Sequence, residues 1–75
     1  MKAKYSVDKI KEAIEILGGR YRLAVAIGVS HKSVSDWVLG YTTPSTQNCL
    51  KIQKATNGKV KAKEILLDIN WDEFE

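Results

Sequence analysis

Apolar positions recur at helical spacing along almost the whole chain, and alternation of apolar and polar residues is nearly absent. Val7, Ile10, Ile14 and Leu17 mark one face of a first helix capped by Ser6, with Tyr5 placed for a hydrophobic staple against Ile10 and the pair Gly18 and Gly19 as its stop. Leu23, Ala24 and Ile27 form the apolar stripe of a short second helix over residues 20–27, which Gly28 is placed to close in the left-handed conformation. Ser30 then caps a third helix that runs to Leu39 and meets Gly40. After a polar loop at residues 41–43, Pro44 suits the first turn of a fourth helix extending to about residue 57, with Cys49, Ile52 and Ala55 on one face and Gly58 beyond. A fifth helix is predicted over residues 61–69 through Ile65, Leu66 and Ile69. The expected fold is therefore all-α, a compact bundle of about five short helices. Residues 1–5 read as a flexible tail, 6–69 as a single domain and 70–75 as an acidic tail.

Length sharpens this picture. A chain of 75 residues buries only about 60% of the surface its unfolded form exposes, so its core is thin and a partner that adds buried surface matters. The longest apolar run, residues 23–27, is far too short for a membrane span or a signal-peptide core. One cysteine, Cys49, has no internal disulfide partner, and a single histidine leaves no cluster of metal ligands. No cofactor, metal or membrane partner is expected, and the cytoplasm is the expected compartment. With no base beside it in the sequence, Cys49 is expected to be a small core residue, and an enzymatic role is not expected.

The constellation that points to function surrounds Gly28. Leu23, Ala24, Ile27, Val29, Val34 and Trp37 stand where a helix-turn-helix over residues 20–39 requires apolar residues or, at Ala24, a small one. Two helices that meet steeply bring their backbones close, so bulk at Ala24 would pry them apart. Val29 plugs the corner, while Val34 and Trp37 pin the inner side of the third helix and leave its outer side small and polar.

The stretch A-I-G-V-S-H-K-S-V-S-D-W at residues 26–37 resembles the phage Cro and YdaS-like repressors of the lambda-repressor-like class. Residues 49–60, C-L-K-I-Q-K-A-T-N-G-K-V, are similar to the segment after the recognition helix in YdaS-like proteins. The resemblance implies a lambda-repressor-like bundle acting as a transcriptional repressor on prophage operators, as a homodimer.

In such an arrangement the third helix enters the major groove with its N-terminal turn leading. His31, Lys32 and Ser35 are then candidates to contact base edges: Lys32 as a donor to guanine, His31 as donor or acceptor, Ser35 as either. Asp36 can accept from cytosine N4, yet it stands four residues after Lys32, where a surface ion pair is the simpler explanation. For phosphates, Gly19 and Arg20 open the second helix with uncapped N–H groups and a guanidinium, and Arg22 is placed to support them. Ser30 and Ser33 supply hydroxyls at the start of the third helix, and Thr42, Thr43, Ser45 and Lys51 offer contacts on the far side, unless those hydroxyls merely cap the next helix.

Charge is uneven in a way that fits a polyanion on one face. Residues 1–54 carry nine Lys or Arg against four Asp or Glu, a net of +5, whereas residues 55–75 carry three against five, a net of −2. The expected partner is a double-stranded, palindromic DNA operator bound by a homodimer, nucleoid-associated when engaged. The alternative is an antitoxin-type module whose main partner is another protein, such as a toxin. Trp71 and Phe74 in the acidic tail either cover the protein's own core or form a dimer contact.

Overall fold

Serine hydroxyls start three of the helices. In the computed structural model, which describes residues 5–67 and residue 71, Ser6 Oγ accepts from the Lys9 amide at 3.2 Å and opens α1, Val7–Leu17. Ser30 does the same for α3, His31–Leu39, and Ser45 for α4, Thr46–Ala55. α2 is Arg20–Ile27 and α5 is Ala62–Ile65. The architecture is an all-α bundle of these five helices. Among the described residues the only strand-like pairing is an isolated antiparallel bridge between Tyr5 and Leu66.

α2 and α3 meet across a corner set by Gly28, at φ +75° and ψ 35°. A Cβ added there would meet nothing within 4 Å, so the requirement is for the left-handed backbone and not for space. The Val29 amide donates back to the Ala24 carbonyl at 3.0 Å, which satisfies the end of α2 while Val29 packs against the core. Leu23, Ala24, Ile27, Val34 and Trp37 are all buried, as the helix-turn-helix pattern requires.

Three boundaries differ from expectation. Pro44 is fully buried but lies outside α4, because Ser45 takes an extended conformation and caps the helix one residue later. The far end closes at Ala55, where Asn57 (φ 55°) and Gly58 (φ 81°) turn left-handed in succession and the Gly58 amide returns to the Gln53 carbonyl at 2.8 Å. α5 is much shorter than the predicted 61–69. Leu66 is extended (φ −104°, ψ 101°) and bridges Tyr5, and the Ser6 amide takes the Ile65 carbonyl at 2.7 Å, so the backbone groups that would continue the helix are used across the chain. Ile69 and Phe74 lie outside the described residues.

Two side-chain hydroxyls hold the bundle, one across the chain and one locally. Tyr5 donates its hydroxyl to the Trp37 carbonyl at 2.8 Å, tying the segment before α1 to the recognition-helix candidate, and burial raises its pKa. The buried Thr56 hydroxyl donates to the Ile52 carbonyl at 2.9 Å and accepts from the Val60 amide at 3.2 Å. Replacing Thr56 by Val would keep the shape but leave the Val60 N–H without a partner, an expected cost of about 1–3 kcal/mol in urea unfolding. Thr56→Ser should recover most of it; equal stability of Thr56→Val and wild type would show the bond to be dispensable.

Candidate nucleic-acid interface

The hundred-degree step of α3 divides its residues cleanly. Val34 and Trp37 face inward, while His31, Lys32, Ser35, Asp36 and Leu39 fall on one continuous outer side. His31 and Lys32 are exposed, Ser35 and Asp36 half-buried. Leu39, 60% exposed, was not anticipated as part of this surface. Its seven-residue spacing from Lys32 is the signal in the sequence that places it on this side.

Lys32 Nζ and Asp36 Oδ2 stand 3.1 Å apart, the ion pair expected from their spacing. The lysine side chain is 85% exposed and the aspartate 19%, so the carboxylate is held against the helix while the ammonium reaches into solvent. A pair so exposed adds little stability, about 0–1 kcal/mol at most. Its consequence is geometric, since the carboxylate restricts where Nζ points.

α2 begins at Gly19, whose φ of 139° and ψ of 163° favour glycine and whose lack of a side chain leaves the first N–H groups of the helix without a side-chain cap. Arg20 comes directly after it. Its Nη1 lies 3.5 Å from Ser35 Oγ, a long contact that carries the guanidinium across to the outer side of α3. Among the described residues Arg20 forms no ion pair. The structure therefore brings Arg20, which follows Gly19, to the outer side of α3 at Ser35, the side that His31, Lys32 and Asp36 share. Ser30 and Ser33 share a hydroxyl contact of 3.0 Å at the start of α3, and Thr42 and Thr43 lie in the loop beyond it, Thr42 exposed and Thr43 half-buried.

Arg22 and Lys51 are placed elsewhere. Arg22 lines a hollow between the end of α1 and α2 with Leu17, Tyr21, Val25 and Ala26, and Lys51 lines an adjoining one between α2 and α4 with Ala26, Lys54 and Ala55. Ser45 spends its hydroxyl on the α4 cap. Cys49 is fully buried in α4, and desolvation pushes its thiol up to about 12, so it stays protonated near neutral pH. No helix among the described residues is long and apolar enough to cross a membrane.

Comparison with known proteins places the chain. Residues 10–74 match a family model described as "Bacterial toxin YdaS". The chain belongs to the YdaS family. Within that family it is 36% identical over 61 residues to the Escherichia coli (strain K12) protein named "Putative transcriptional regulator YdaS", an alignment covering 81% of this chain and 62% of the relative. This YdaS-family chain thus spans somewhat under two thirds of the length of the curated relative it matches. No solved structure matches it significantly. The match runs through all five helices, the corner at Gly28 included.

Proposed function

We propose that the protein is a sequence-specific double-stranded DNA-binding regulator of transcription, a Cro-like repressor that lays α3 in the major groove. The observation that carries this is the unbroken outer side of α3, with the Arg20 guanidinium drawn to its flank through Ser35. The name of the E. coli relative points the same way. His31, Lys32 and Ser35 approach base edges, with Asp36 acting mainly on Lys32 and secondarily as an acceptor from cytosine N4. Gly19 and Arg20 take a phosphate on one side, Ser30 and Ser33 another at the helix start, and Thr42 and Thr43 the opposite strand. Arg22 and Lys51, which line adjoining hollows that share Ala26, are the weakest members of the expected phosphate set.

A homodimer would present two α3 helices to successive major grooves about 34 Å apart, which calls for a two-fold symmetric operator. Selection of preferred sites from random duplexes tests all of this together. The expected product is a palindrome with half-sites about one helical turn apart; recovery of no consensus would overturn the reading. The description of the family model as a bacterial toxin favours a second reading, in which a protein partner, as in a toxin–antitoxin pair, is the main target. That reading predicts DNA affinity without sequence preference.

A further inference from the structure

α2 is apolar on both sides. Its inner stripe is core, yet Tyr21 and Val25, four residues apart on the outer side, are 69% and 64% exposed. They line a hollow of about 490 Å³ with Leu17, Arg22 and Ala26. Ala26 also belongs to the adjoining hollow of about 220 Å³, whose other lining residues are Lys51, Lys54 and Ala55. The combined surface has an apolar floor and three cations, and no Asp or Glu lines either hollow. The chemistry it fits is an aromatic side chain flanked by carboxylates.

The chain carries such a segment in its own sequence, Asp72, Glu73, Phe74 and Glu75, three carboxylates around one aromatic ring. It comes after Trp71, whose indole N–H donates to the Leu66 carbonyl at 2.8 Å and which packs against the core. Leu66 bridges Tyr5 just before α1 begins, whereas Leu17 and Tyr21 lie at and beyond the other end of α1. The 11 residues of α1 separate those ends by about 16 Å, while Phe74, three residues after Trp71, extends at most about 11 Å from it. That extension is shorter than the separation, so a tail anchored beside Leu66 through Trp71 meets its own hollow at the expense of its conformational freedom and of the Trp71 anchor. The tail of a neighbouring molecule has no such constraint.

We propose that residues 72–75 of one copy dock through Phe74 onto the Tyr21–Val25 hollow of a second copy, with Arg22, Lys51 and Lys54 meeting the carboxylates, and that two reciprocal contacts of this kind hold a homodimer in the absence of DNA. Sedimentation equilibrium of the full chain without DNA tests it, with circular dichroism confirming that each variant is folded. Wild type is expected to self-associate, and Val25→Asp and Phe74→Ala are each expected to weaken the dimer about tenfold or more. The deciding step mixes the two variants. The intact tail of the Val25→Asp chain fits the intact hollow of the Phe74→Ala chain, so the mixture should associate more strongly than either variant alone. A monomeric wild type, meaning that the tail docks within its own chain or that the hollow serves an unrelated protein, would overturn the proposal. So would variants that dimerise like wild type, or a mixture that associates no better than its components.

Discussion

Trp37→Ala is expected to leave the protein largely unfolded at 37 °C. Trp37 is 4% exposed and is the largest side chain of the inner face of α3, packed with Val34 and the residues of α1 and α2 in one cluster. Truncating a buried tryptophan costs about 3–5 kcal/mol in lost transfer energy and residual cavity. Folded domains are stable by about 5–15 kcal/mol, and a chain this short belongs near the lower end because it buries a smaller fraction of its surface. The Tyr5 hydroxyl would keep its partner, the backbone carbonyl of residue 37, so the deficit measures packing alone. Urea unfolding monitored by circular dichroism gives the number, with Trp37→Phe expected to recover a large part of it. A Trp37→Ala midpoint close to wild type would mean that α3 is not held by this contact, and that its orientation has another cause.

Lys32→Ala, Arg20→Ala and Asp36→Ala are expected to separate base reading from phosphate binding. Lys32 projects from the outer side of α3 with 85% of its side chain exposed, so its removal should weaken the preferred duplex roughly ten- to hundredfold and random duplexes much less. Arg20 sits at the uncapped start of α2, so Arg20→Ala should weaken every duplex similarly and lower the slope of log affinity against log salt by about 0.9. Asp36 removes positive field from the surface and restrains Nζ at 3.1 Å. Asp36→Ala should therefore raise affinity for all duplexes while narrowing the gap between preferred and random sequences. Fluorescence anisotropy at several salt concentrations reads all three effects. If Lys32→Ala lowered affinity equally for preferred and random duplexes, the residue would be a phosphate contact and no reader of sequence.

The helix-turn-helix was legible because its constraints are local. A glycine needing positive φ, a small residue four positions before it and apolar positions at fixed offsets are conditions on neighbours in sequence, and each is met by residues 23–37. The Lys32–Asp36 pair was legible for the same reason, since four residues is one helical turn. The contact between Arg20 and Ser35 was not, because it depends on the angle at which two helices cross. Nor was the placing of Arg22 and Lys51 beside adjoining hollows, which depends on how α1 and α4 pack against α2.

Sequence by itself determined the number of helices, the capping serines Ser6 and Ser30, the corner at Gly28 and which sides of α1 to α4 are apolar. These arise from backbone conformational preference and from a periodicity that repeats within a few residues. Tertiary structure alone decided where α5 stops, what satisfies the Tyr5 hydroxyl, and that Tyr21 and Val25 stay uncovered. Each of those outcomes is fixed by hydrogen bonds or packing between segments distant along the chain, as when Tyr5 and Leu66 pair and claim backbone groups that a longer helix would need.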